Sequence, residues 1–99
     1  SGTEEIIVLR AVTLYMRRGV APSVYGLAVM NALLTYGDTF FILGNVVLTQ
    51  DDSFVARIFT RDLSVPLVSG MDLRVTTQDL NTGGNVYYRA SLLLERFTY

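Results

Sequence analysis

The chain of 99 residues contains no histidine, no cysteine and no lysine. Histidine is the side chain that ordinarily titrates near neutral pH, cysteine supplies the thiolate, and lysine supplies an amine nucleophile and a phosphate contact. Their absence excludes most familiar catalytic constellations and the usual zinc and blue-copper sites. The sequence therefore predicts a protein that is not an enzyme and that uses no metal and no cofactor.

Carboxylates are the remaining source of chemistry. The aspartates within residues 50–53, together with Asp62, could offer oxygen ligands to Mg²⁺ or Ca²⁺, but the EF-hand spacing is absent and Asp is a standard turn residue. Glu95, Asp72 and Asp79 are the candidates for acid and base catalysis, which would need two of them to face each other across a cleft. We expect Glu95 instead to form an exposed ion pair with an arginine such as Arg74.

Positive charge and long apolar runs are also scarce. Eight arginines stand against nine carboxylates, so the basic excess typical of proteins that bind double-stranded nucleic acid is missing. No apolar run approaches the roughly 20 residues of a bilayer-spanning helix. Yet 51% of the residues are hydrophobic, which is high for so short a chain and predicts apolar surface outside the core. We expect a single domain over residues 1–99 with no membrane span.

The first part of the chain indicates one strand and one helix. Residues 4–17 alternate and are apolar on both faces, which is typical of a long central strand. Residues 23–36 carry an apolar stripe at helical spacing and precede Gly37, so they predict a helix. No charged residue lies between Arg18 and Asp38. This helix is therefore expected to pack on the sheet with one side and on a partner with another.

The rest of the chain indicates four strands in two hairpins. Strands are predicted at residues 40–49, 54–61, 71–78 and 86–98. Turn-forming residues join the first two and the last two, while residues 62–70 form a connection because Pro66 cannot donate to a central ladder. Gly44 with Asn45 marks a bulge or a turn. The predicted fold is α+β: a single antiparallel sheet of about five strands, in the order β-α-β-β-β-β, with one helix packed on a face.

This order of elements resembles the cystatin-like folds and the cores of rhabdovirus matrix proteins, in which a strand and a helix precede an antiparallel meander. No motif residue accompanies the resemblance, so it implies a fold and assigns no site. A structural, matrix-like role in a virus or phage is compatible with it.

The strand alternation predicts an outer sheet face on which arginines and aromatic rings are mixed. Arg, Tyr and Phe are enriched where proteins bind each other, and the same combination can stack unpaired bases. The candidate partner-binding residues on this face are Val55, Arg57, Phe59, Arg61, Arg74, Tyr87, Arg89 and Phe97. Those on the spare side of the helix are Val29, Met30 and Leu33.

We therefore predict a non-enzymatic interaction or assembly module that forms a homo-oligomer or binds a protein partner through these two surfaces. The alternative is binding of single-stranded nucleic acid (RNA) by the outer sheet face, which the negative net charge disfavours. Two further interpretations remain open. Residues 62–70 could cover that face in an ordinary fold, or a small apolar ligand could lie between helix and sheet against Phe40, Phe41, Met30 and Tyr36.

Overall fold

Every regular element in the described part of the chain is a β-strand. The computed structural model describes residues 4–18, 27–49, 56–79 and 86–98, and these ranges contain six strands and no helix. The strands are β1 (Glu5–Arg18), β2 (Ala28–Tyr36), β3 (Thr39–Leu48), β4 (Ala56–Leu67), β5 (Met71–Asp79) and β6 (Val86–Thr98). The predicted α+β fold is therefore wrong, and the described residues are all-β.

The six strands form two antiparallel sheets rather than one. The first sheet has the order β4-β1-β6, and the second sheet has the order β3-β2-β5. The antiparallel arrangement was expected, but both predicted hairpins are wrong, because β3 and β4 lie in different sheets and so do β5 and β6. The predicted turns at residues 50–53 and 81–85 lie outside the described residues.

Residues 28–36 form β2 in place of the described part of the predicted helix at 23–36. The buried side chains are Ala28, Met30, Ala32 and Leu34. This period of two is that of a strand with one face on the core. Because β2 is paired on both sides, by β3 and β5, tertiary pairing overrides the helix preference of its Ala, Leu and Met residues. Residues 23–26 lie outside the described residues.

A two-residue turn joins β2 to β3. Tyr36 faces Thr39 across it, and Gly37 has a φ of 61°. Glycine at the first central position is typical of such hairpins, since other residues rarely adopt this φ. Gly37 thus ends a strand and not the predicted helix. Without the helix, the order of elements no longer resembles the cystatin-like or matrix-protein cores.

β1 is the long central strand that the sequence predicts. It pairs with β4 on one side and β6 on the other. The register on β6 shifts between Leu9 and Ala11, so Arg10 is an extra residue on β1 while β6 continues without interruption. A second bulge lies on β3 beside Gly44. Of the two predicted alternatives for Gly44 and Asn45, the bulge is therefore confirmed and the turn is wrong.

β4 continues through the predicted connection at 62–70 as far as Leu67. Pro66 fits within this strand because β4 is at the edge of its sheet, facing Val8 of β1. The partly buried side chains of β4 that pack on the core are Phe59, Leu63, Val65 and Leu67. The odd-numbered residues of β4 therefore face inward, opposite to the predicted orientation.

One core lies between the two sheets. Its fully buried side chains are Leu9, Val12, Leu14, Met16, Met30 and Leu48. β3 passes close over the first sheet at Gly44, where a Cβ atom would lie 2.5 Å from Cε1 of Phe59 and 3.3 Å from Cδ1 of Leu14. The glycine is what permits this close approach, since any side chain there would displace the Phe59 ring.

The molecule is long and thin, with extents of 60 × 26 × 16 Å and a radius of gyration of 16.6 Å. A compact chain of this length has a radius of about 13 Å. Its accessible surface is 6372 Å², against about 5,600 Å² for a typical monomer of this mass. Both values fit a sandwich whose sheets cover each other incompletely. No helix in the described ranges is long and apolar enough to cross a membrane.

Candidate interaction surfaces

The two sheets are closed along one side and open along the other. On the closed side β3 lies against β1 and β4, and Phe59 packs beneath Gly44. On the open side β5 and β6 scarcely touch. Three large apolar side chains of the inner faces are accessible there, namely Leu92, Leu94 and Val75, which are 40%, 48% and 41% exposed. The sandwich thus leaves apolar inner surface uncovered along β5 and β6.

β6 is a long edge strand on this open side. It has thirteen residues and, among the described strands, pairs with β1 alone. Three consecutive leucines, 92–94, lie near its middle, and all three are exposed. β6 contains no proline, whereas the other edge of the first sheet carries Pro66. A long apolar edge without such protection is a template for pairing with another strand.

The outer face of the first sheet carries three pairs of arginine and aromatic ring. The guanidinium carbon of Arg17 lies 5.1 Å from the Tyr87 ring centre, and that of Arg89 lies 5.9 Å from the Tyr15 ring centre. Each pair joins facing residues of β1 and β6. At the other end of the strands, Arg10 lies 5.8 Å from Phe97. These contacts are within the range of cation–π attraction and tie β6 to the central strand.

A small cleft opens between two of these pairs. It has a volume of about 250 Å³ and is lined by Tyr15, Arg17, Tyr87, Tyr88 and Arg89. Rings and guanidinium groups that line one cleft can accept a flat, negatively charged or aromatic group. The sequence reasoning missed Tyr15 and Arg17, because they are on β1 and only the strand order places β1 beside β6.

Ion pairs and a hydrogen bond between accessible side chains also connect β1 with its neighbours. Arg10 donates from Nε to Oε1 of Glu95 at 2.7 Å and from a terminal nitrogen to Oγ of Ser64 at 2.9 Å. Arg96 pairs with Glu5 at 2.6 Å. The predicted exposed ion pair of Glu95 with an arginine is confirmed, but the partner is Arg10 and not Arg74, which is in the second sheet. The partner of Arg74 there is Asp72, at 3.0 Å.

An apolar groove lies between β3 and β4 on the closed side, toward the end at which the β2–β3 turn lies. It has a volume of about 640 Å³ and is lined by Leu34, Phe40, Phe41, Ile42, Leu43, Arg61, Leu63, Val65 and Met71. Phe40, Phe41 and Ile42 are each more than half exposed. Of the residues predicted to line an apolar ligand site, Phe40 and Phe41 line this groove. Met30 is buried in the core, and Tyr36 is not part of the lining.

The predicted partner-binding residues do not form one surface. Tyr87, Arg89 and Phe97 lie together on the outer face of the first sheet. Arg57, Phe59 and Arg61 belong to the inward-facing set of β4, since they face Met16, Leu14 and Val12 of β1, which are buried. A terminal nitrogen of Arg61 lies 3.4 Å from the Leu43 carbonyl oxygen, across the closed side.

The remaining predicted residues are divided between the second sheet and the core. Arg74, Val29 and Leu33 lie on the outer face of the second sheet, where Leu33 faces Arg74 across the β2–β5 ladder. Met30 is buried, so the predicted spare side of a helix does not exist as a surface. Val55 lies outside the described residues.

The described ranges contain no group of three or more acidic side chains, cysteines or histidines that could hold a metal ion. The aspartates within residues 50–53 lie outside those ranges.

No known protein family matches the chain, and neither a curated protein nor a solved structure is similar to it.

Proposed function

We propose that this chain is a non-enzymatic interaction or assembly module, which self-associates or binds a protein partner through apolar surface that its own fold leaves uncovered. The observation that carries the proposal is the exposed inner surface of the open side, where Leu92, Leu94 and Val75 belong to the core-facing sets of their strands yet remain accessible. Removing apolar surface from water contributes about 25 cal/mol per Å² to the free energy of binding, so a complex that buries this inner surface is stabilised.

The rest of the described surface supports the same function. Thirteen large hydrophobic side chains of the described residues are exposed, and eight of them are on β6 or line the groove beside Phe40 and Phe41. Large contiguous apolar patches on a small protein mark sites of interaction. We do not extend the proposal to a virus or phage role, because the resemblance that suggested it depended on the helix.

Light scattering across the micromolar range, together with binding of a dye that fluoresces on apolar surface, tests this function. We expect a mass above that of the monomer that rises with concentration, and strong dye fluorescence where the monomer predominates. A monomeric mass at every concentration, with no dye signal, would contradict the proposal.

Binding of single-stranded nucleic acid by the outer face of the first sheet is a second candidate function. It is favoured by the cleft in which Tyr15, Arg17, Tyr87 and Arg89 converge. A fluorescently labelled single-stranded RNA should then bind at low salt and dissociate as salt is raised.

The matched variants for the RNA experiment are Arg17→Gln in the cleft and Arg74→Gln on the second sheet. The first should weaken binding and the second should not, since Arg74 is on the opposite surface of the molecule. Equal loss in both variants would indicate nonspecific charge attraction, and no binding at low salt would remove this candidate.

A further inference from the structure

The edge of β6 that no other described strand pairs with carries the pattern of a strand that pairs with its own copy. We propose that β6 pairs antiparallel with β6 of a second molecule, with Leu92 facing Leu92, so that two first sheets merge into one sheet of six strands. This proposal rests on the proposed assembly function, to which it adds the edge, the partner and the register.

Geometry limits the possible registers. In an antiparallel ladder, two facing residues either both exchange hydrogen bonds or both do not, and their side chains lie on the same face. A two-fold pairing of β6 is therefore centred on one residue. Leu92 is the middle residue of the thirteen from Val86 to Thr98, so a centre at Leu92 pairs the strand along its full length.

Charge is complementary in this register. Arg89 faces Glu95 of the second copy, and by symmetry the same ion pair forms twice. A centre one residue earlier would place Arg89 opposite Leu93, and a centre one residue later would place it opposite Phe97. Among these three registers, only the centre at Leu92 gives each of these two charges an opposite partner, and facing opposite charges stabilise a ladder.

Both side chains of this ion pair are accessible in the single molecule. The side chain of Glu95 is 50% exposed although it binds Arg10, and Arg89 is exposed although it lies over the Tyr15 ring. The third charged residue of β6, Arg96, is already paired with Glu5 of its own chain. No like charges face each other across the proposed ladder.

The apolar residues agree with the same register. On the inner face Leu92 meets its own copy and Leu94 meets Ala90, which covers the leucines that the second sheet leaves exposed. On the outer face Tyr87 meets Phe97 twice, and facing aromatic side chains are a favourable cross-strand pair. One interface thus accounts for the length of β6, the two exposed leucines of its inner face and its charge pattern.

The absence of cysteine allows a direct test with single cysteine variants. Facing Cα atoms in an antiparallel ladder are about 4.5 to 5.5 Å apart, which is within the range of a disulfide. Under mild oxidation, Leu92→Cys should yield predominantly covalent dimer. Leu94→Cys is the matched control on the same face, and should form no covalent dimer because residue 94 is displaced by four residues from its own copy.

Charge reversal gives a second, reversible readout. Arg89→Glu and Glu95→Arg should each weaken dimerisation by about tenfold, and mixing the two variants should restore it. Circular dichroism of each variant checks that the strands still form.

The possible outcomes separate this pairing from the proposed function. Rapid cross-linking of Leu92→Cys, with restoration by mixed charge variants, supports the pairing. A larger mass without these two results overturns the pairing of β6 and leaves the assembly function standing. A monomer at every concentration that binds no dye contradicts both.

Discussion

The closed and open sides of the sandwich contain the same kinds of residue but differ in how closely the opposing strands approach each other. On the closed side, glycine at position 44 lets β3 descend onto Phe59 and Leu14, and the inner side chains between them are buried. On the open side, Leu92 and Leu94 point inward from β6, but no described strand of the second sheet approaches them as closely. An inward orientation therefore does not ensure burial, because burial also requires an opposing strand at close distance.

The protection of the two edges of the first sheet differs in the same way. β4 carries Pro66 and has β3 beside it, so further pairing at this edge is hindered. β6 has neither, and its leucines 92–94 are exposed. The comparison indicates that the β4 edge of the first sheet is protected against further pairing, whereas the β6 edge can accept an additional strand.

The largest expected effect on the free energy of unfolding comes from truncating a buried side chain near the closed side. Leu14→Ala should lower the free energy of unfolding by about 2 to 5 kcal/mol, because a fully buried leucine leaves a cavity. Leu94→Ala is the matched change on the open side and should cost less than about 1 kcal/mol, since nearly half of Leu94 is already exposed. Urea unfolding of the dilute monomer measures both values. Equal losses would mean that the open side is covered in the dilute protein.

An intermediate effect is expected at Gly44. Gly44→Ala should cost about 1 to 3 kcal/mol, because the new methyl group would overlap the Phe59 ring. Phe59→Leu in the same chain should recover part of that loss by making room. A double-mutant cycle from urea unfolding gives the coupling energy. If the two changes were simply additive, the close approach of β3 to β4 would not be what requires the glycine.

The smallest effect is expected from the ion pair that joins β6 to β1. Arg10→Met should cost less than about 1 kcal/mol, because Arg10 contacts Glu95, Ser64 and the Phe97 ring from an accessible position. Arg74→Met removes the more exposed pair with Asp72 and should be nearly neutral. Thermal unfolding at low and high salt measures the difference, which should shrink as salt screens the charges. A difference that persists unchanged in high salt would point to packing of the arginine stem.

The sequence predicts the strands of this fold better than their partners. β1 and β6 occur close to the predicted positions, because alternation over thirteen or fourteen residues is a strong signal. β2 could not be recognised in this way, since Val29 and Leu33 on its outer face are apolar like the buried residues between them. A segment that is apolar on both faces fits a helix and a central strand equally well.

The sequence contains enough information to predict which side chains of β4 face inward. Ending the strand at residue 61 because of Pro66 removed the informative half, in which Leu63, Val65 and Leu67 alternate with polar residues and proline. Including that half assigns the odd-numbered residues to the core. The grouping of Tyr15 and Arg17 with Tyr87 and Arg89 was beyond reach, because it depends on the order β4-β1-β6, which no local pattern encodes.

The changes of sheet along the chain have a consequence for how the protein folds. Of the described strand pairs, only β2 and β3 are joined by a short turn. β1 must pair with β4 and β6 far along the sequence, as the separation of 85 residues between Arg10 and Glu95 illustrates. Such nonlocal pairing gives a high contact order and, with it, folding in milliseconds to seconds. We expect the β2–β3 hairpin to form first and the first sheet to assemble later. β1 is the most apolar of the long strands. Until it pairs with β4 and β6, its exposed edges and apolar side chains are prone to aggregate.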